Sequence, residues 1–154
     1  MRLILAVDPG KASGICLFSF SDGEPELLWS GEYQADEFAT AVRRGLDMAL
    51  DARVDLEIAC ERFTITAQTA KNSQAPYSLE QIGVLKHLAR ESTCASPESI
   101  VLQSPVDAKR MFPNEALKKL DYWHKGGEGH ALDAIRHGLL YLAKKGWTPR
   151  RLLQ

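Results

Sequence analysis

The stretch RLILAVDPG at positions 2–10 constrains this chain more than any other, because its apolar run at residues 3–7 is continuous and then stops at Asp8, Pro9 and Gly10. A half-buried strand alternates apolar and polar residues. A continuous run closed by a Pro-Gly turn predicts a strand covered on both faces, in the middle of a sheet. Asp8 then stands at a buried strand end, where a carboxylate is costly unless it is paired, hydrogen-bonded or holding a cation. One reading makes Asp8 a turn former that bonds the backbone two residues on. The other makes it a functional group.

The remaining pattern supplies neighbours for that strand. Residues 15–20 and 27–33 read as strands joined by the turn SDGEP, so three antiparallel strands are expected at the start. Over residues 36–52 the apolar positions Phe38, Ala41, Val42, Leu46, Ala49 and Leu50 recur at helical spacing. Residues 54–60 make a fourth strand, which again runs into a carboxylate, Glu61. A polar loop is expected over 64–76, then a helix through Leu79, Ile82, Leu85, Leu88 and Ala89. A fifth strand follows at 99–103, with short helices at 105–112 and 115–123. The run GGEG at 126–129 breaks the chain before a last helix over 130–145. This order predicts an α/β domain: a mixed five-stranded sheet, three antiparallel strands and then parallel ones, flanked by helices.

At 154 residues, one domain with one sizeable core is expected. A hydrophobic fraction of 45% and a charged fraction of 25% are those of an ordinary globular chain. No apolar stretch approaches the length of a membrane span, and the start of the chain is too short in apolar residues for a signal peptide. The expectation is a cytoplasmic protein, bacterial or in a virus-infected host, with no membrane partner. Cys16, Cys60 and Cys94 are odd in number and lack metal-ligand spacing, so they read as small buried hydrophobes.

The net charge of −1 conceals an asymmetry. Residues 1–104 carry 9 Lys/Arg against 15 Asp/Glu, whereas residues 105–154 carry 10 against 5. A basic half fits a polyanion contacted on one side, as nucleic acid would be. A solvated lysine-rich surface would give the same count.

Acidic groups at particular positions sharpen the choice. Ligands of open α/β sheets collect at strand ends, where Asp8 and Glu61 are expected. On the last helix His130 and Asp133 are three residues apart and share a face, with Asp133 set in the apolar stretch ALDAI. Grouped, Asp8, Glu61 and Asp133 make an oxygen-rich site suited to Mg²⁺ or Mn²⁺. Two such ions about 4 Å apart can position a water and stabilise the leaving oxygen of a phosphodiester.

Taken in order, AVDPGKASGI at 6–15, CERF at 60–63, SLEQIGVLKHLA at 78–89, SPVDAKR at 104–110 and GHALDAIRHGLLYL at 129–142 resemble the RuvC-type Holliday-junction resolvases of the ribonuclease H-like superfamily. The resemblance covers most of the chain. It implies a ribonuclease H-like fold and a metal-dependent endonuclease that cuts four-way junctions or other branched DNA, flaps and forks included, using two Mg²⁺ or Mn²⁺ ions. By the same resemblance Asp8, Glu61 and Asp133 are catalytic metal ligands, Phe63 meets the junction, and Lys109, Arg110, Lys118 and Lys119 hold phosphates. It also implies a homodimer, since resolving a four-way junction takes two symmetric cuts. Where many members carry a fourth carboxylate, this chain has His130, which reads either as a further metal ligand or as a general base. His87, His124 and His137 read as structural.

The sequence also fits three rival readings. The DPGKASG turn is similar to the phosphate turn of actin-like ATPases, but those need two such domains. ERFTITAQTA has a faint likeness to the YqgF-type nucleases that act on RNA, without their Gly- and Pro-rich loop. A non-catalytic branched nucleic-acid binding module is the third, and it would aim three unscreened acids at a polyanion.

Overall fold

The computed structural model describes residues 1–71 and 75–153. Its elements are β1 (Arg2–Asp8), β2 (Ala12–Phe20), β3 (Glu26–Gln34), α1 (Phe38–Ala52), β4 (Leu56–Glu61), α2 (Ala75–Glu91), β5 (Val101–Gln103), α3 (Pro105–Met111), α4 (Asn114–Lys119) and α5 (His130–Lys144). The five strands form one sheet in the order β3-β2-β1-β4-β5. β1 is antiparallel to β2 and parallel to β4; β2–β3 is antiparallel and β4–β5 parallel. The continuous apolar run is therefore the central strand, as its pattern requires.

Side-chain alternation splits β1 between two cores. Leu3, Leu5 and Val7 face α1 and α2, together with Ile58 and Cys60 of β4. Ile4 and Ala6 face α3, α4 and α5, together with Ala59. Each fully buried Leu, Ile or Phe here contributes about 1.5–3 kcal/mol. Since side chains alternate, Asp8 continues the Ile4–Ala6 row and Glu61 the Ala59 row. Both acids thus point to the α5 side. All three cysteines are free and buried, as expected of small hydrophobes.

Several boundaries differ from the sequence reading, each for a local reason. α1 begins at Phe38 because Glu37 instead accepts the Gln34 N–H, at 2.9 Å. β5 is shorter, a 3-10 turn occupying Pro97–Ser99. α4 ends at Lys119 and does not reach 123, because Asp121 takes a left-handed φ of 63° and Tyr122 N–H folds back to the Leu117 carbonyl. Of the expected loop at 64–76, Thr69–Lys71 is a 3-10 turn and α2 already starts at Ala75; positions 72–74 lie outside the described residues. Among the described residues no helix is long and apolar enough to cross a membrane.

α5 explains why the sheet can bury polar chemistry. From Ala134 to Leu142 it is buried all round, because it lies between the sheet and α3. Its first turn rests directly on β2: a Cβ at Gly14 would stand 1.8 Å from the His130 carbonyl oxygen. Further along, a Cβ at Gly138 would stand 2.7 Å from the Phe18 ring. Two glycines therefore set how closely α5 approaches the strands.

Candidate active site

Val7 and Cys60 are register partners, so Asp8 and Glu61 end adjacent parallel strands one residue beyond the same pair. With Lys11, Gln34, Phe63, Ser78, Glu128 and His130 they line a cleft of about 440 Å³. Asp8 is 6% exposed. Its Oδ2 lies 2.9 Å from Nδ1 of His130. The DPG turn is closed by other groups: Ser13 Oγ accepts the Gly10 N–H and donates to the Gly10 carbonyl, and Ser78 Oγ donates to the Pro9 carbonyl. Asp8 is therefore not consumed in making its own turn.

Burial pushes the Asp8 carboxyl above its ordinary range; the His130 hydrogen bond opposes this, while the charges of Glu61 and Asp133 add to it. The same hydrogen bond raises His130, with burial opposing and Asp8, Glu32 and Glu128 adding their charges. His130 owes its place to Glu32 of β3. The Glu32 carboxylate accepts the N–H groups of Glu128, Gly129 and His130, each at 2.9 Å, and clasps the otherwise unpaired donors of the α5 start. The glycine-rich run permits this, Gly129 turning through a φ of 95°.

Asp133 sits on the same helix but its carboxylate goes elsewhere. Arg136 Nη1 donates to Oδ1 at 2.6 Å, and Lys109 Nζ lies 3.1 Å from Oδ2. Arg136 is itself buried and donates through Nε to the Phe112 carbonyl, which ties Asp133 to the α3–α4 junction. Asp133 does not line the cleft, although its charge is felt at Asp8. Among the described residues no three His, Cys, Asp or Glu side chains are grouped closely enough to enclose a metal ion.

Glu61 has its own partner, and that partner is His137, which reads as structural in the sequence. His137 Nε2 lies 3.0 Å from Glu61 Oε2. The spacing held the signal: His130, Asp133 and His137 recur at three and four residues, one stripe of a helix. Arg136 and Glu32 carry no comparable sequence mark. His87 is exposed, and His124 buries an Nε2 that has no hydrogen-bond partner among the described residues.

The expected DNA contacts divide. Phe63 lines the cleft, half-buried. Lys109 and Arg110 end α3, and Lys118 and Lys119 end α4; none of the four lines the cleft. Lys118 pairs with Glu115 at 2.9 Å and lies over the Trp123 ring. Arg110 pairs with Asp107 at 3.6 Å, and Lys119 is exposed.

This arrangement of sheet, cleft and helix is shared with solved structures. T. thermophilus RuvC in complex with a Holliday junction substrate matches over 95% of this chain and 97% of its own, with a TM-score of 0.66. This is the RuvC-type, ribonuclease H-like fold. A second T. thermophilus RuvC structure matches at 0.63 over 94% and 97% of the two chains, and Fowlpox virus resolvase with Holliday junction DNA at 0.59 over 95% and 100%. Sequence identities are 16%, 16% and 12%, so what the RuvC-type structures share with this chain is the fold. No protein-family model matches the chain, and no curated protein matches it.

Proposed function

We propose that this protein is a divalent-metal-dependent endonuclease that cuts branched DNA, with four-way junctions as its principal substrate. The observation that carries the proposal is the pair Asp8 and Glu61, at matched ends of adjacent strands in one cleft, each held by an imidazole from α5. Two of the structures sharing its fold are complexes with Holliday junction DNA, which supports the substrate class.

The donor set suits a hard cation. Asp8 is buried, and the neighbouring charges of Glu61 and Asp133 disfavour its ionised form, a deficit of positive charge that a divalent ion would relieve. No three such side chains already stand close enough to enclose an ion among the described residues, so Asp8 and Glu61, side by side at their strand ends, would draw in with His130 to hold it; Asp133 would serve a second by exchanging its contact with Lys109. A divalent ion supplies Lewis acidity toward the phosphodiester and lowers the pKa of water. The chain contributes the rest. Glu32 places His130, His130 orients Asp8, and the Phe63 ring offers a face for an unstacked base at the branch. Lys109, Arg110, Lys118 and Lys119 supply the positive charge that draws phosphates to that side. A homodimer would present two such clefts for paired cuts.

The test incubates the purified protein with labelled four-way junction, flap, duplex DNA and structured RNA, with and without Mg²⁺ or Mn²⁺. Metal-dependent cuts at the junction are expected. Asp8→Asn and Glu61→Gln should each lower turnover by roughly a thousandfold, the several kcal/mol such a ligand supports, while junction affinity is kept. Cleavage that persists in chelator, or that is confined to RNA, overturns the proposal.

A further inference from the structure

We propose that Gln103 and His137 form a positioning pair that holds the Glu61 carboxylate in place for the divalent ion, an inference that rests on the metal-dependent reading above. Gln103 ends β5 and is the register partner of Glu61 at the end of β4. Gln103 and His137 are each 1% exposed, so water does not substitute for either side chain. A buried imidazole in an apolar core is costly unless both nitrogens are satisfied. Here both are: Nε2 faces Glu61 and Nδ1 faces the Gln103 amide, each at 3.0 Å.

The hydrogen-bond directions are set by the groups on either side. In the amide orientation that satisfies both its polar atoms, Gln103 donates to the His137 carbonyl and to Nδ1, and accepts the Tyr141 N–H at 3.2 Å. Nδ1 is then an acceptor, so the neutral ring carries its proton on Nε2. An ionised carboxylate only accepts, and the Nε2–H donates to Glu61 Oε2. Gln103 thereby fixes the tautomer, and the tautomer fixes one carboxylate oxygen. With Oε2 tied down, Glu61 keeps its place on the cleft wall instead of turning toward its core neighbours.

His137 does not line the cleft and has no path to a substrate. Its part is to position Glu61. Partners of this kind behind ligating carboxylates and imidazoles carry a factor of about 10–100 in metal affinity or activity.

The test is Mn²⁺ titration by calorimetry on the DNA-free protein, a readout independent of cleavage. His137→Leu, which fills the space without the donor, should raise the Mn²⁺ Kd about 10–100-fold. His137→Gln restores a side-chain N–H and should recover part of that loss. Gln103→Leu should also weaken Mn²⁺ binding, and combined with His137→Leu it should add nothing, because it acts through His137. Junction affinity in chelator should be unchanged throughout. A folded His137→Leu protein with the wild-type Kd would mean that the pair serves packing only. If that variant does not fold, Gln103→Leu and His137→Gln decide, and wild-type Kd values in both overturn the proposal. Wild-type protein that binds no Mn²⁺, or Glu61→Gln protein that binds it undiminished, overturns instead the metal reading on which the pair rests.

Discussion

Asp8 and Glu61 occupy equivalent positions on adjacent strands, yet α5 holds them by different means. Asp8 is bonded by His130, the first residue of the helix, whose ring is about one-third exposed and whose backbone hangs on a surface carboxylate, Glu32. Glu61 is bonded by His137, two turns deeper, sealed in the core and fixed by Gln103. The first arm is built from a helix end and a glycine-rich loop, the second from helix interior and strand. Local opening starts at helix ends and exposed hydrogen bonds, so the two arms differ in how readily they can adjust. One wall of the cleft is therefore expected to adjust more readily than the other.

The largest effect on this contrast is expected from Gly14→Ala. The new Cβ would meet the His130 carbonyl at 1.8 Å, and since backbone cannot rotate aside the start of α5 must lift. A loss of about 3 kcal/mol is expected, at the upper end for overpacking, read from the urea midpoint. In NMR spectra the His130 ring resonances should move while those of His137 stay. Equal movement of both would show that α5 shifts as one body and that the arms are not separate.

Gly138→Ala tests the other arm. Its Cβ would meet the Phe18 ring at 2.7 Å and Ala6 at 3.4 Å, contacts that a side chain partly relieves. A smaller loss, about 2 kcal/mol, is expected, with His137 and not His130 perturbed. A destabilisation larger than that of Gly14→Ala would reverse the order of the two walls.

Acid should loosen the His130 arm alone, and least. Burial would raise the Glu32 carboxyl, but the backbone N–H groups of Glu128, Ala131, Gly129 and His130 outweigh it and hold the group below the ordinary value of 4.5. A depressed carboxyl contributes stability that is fully present above its unfolded value and is lost as pH falls through the lower folded value. Hydrogen exchange at the amides of residues 129 and 130 should therefore quicken below about pH 4.5 while the middle of α5 stays protected. Glu32→Ala should cost about 1 kcal/mol, as a lost cap does, and abolish that pH dependence. Unchanged exchange in the variant would remove Glu32 from the His130 arm.

Local pattern alone accounts for the central strand, the two acids at strand ends, the glycine break and the helix behind it. Each of these is a local pattern: an apolar run of uniform burial, a turn signal, a three-and-four repeat. Even the order of strands and helices was legible from those patterns in succession. The partner of each charge, by contrast, comes from the packed fold. Asp8 and His130 are 122 residues apart, and Glu61 and His137 are 76 apart. Asp133, on the expected face, turns to Arg136 and Lys109 because α3 crosses α5 there. His137 shares a helical stripe with His130 and Asp133 in the sequence, but that stripe does not say what its ring meets. Only the register that sets Gln103 beside Glu61, and the approach of α5 allowed by Gly14 and Gly138, make it a neighbour of the cleft. Periodicity settles which face of an element is buried, but which polar groups meet across that face depends on register and crossing distance, and those belong to the whole fold.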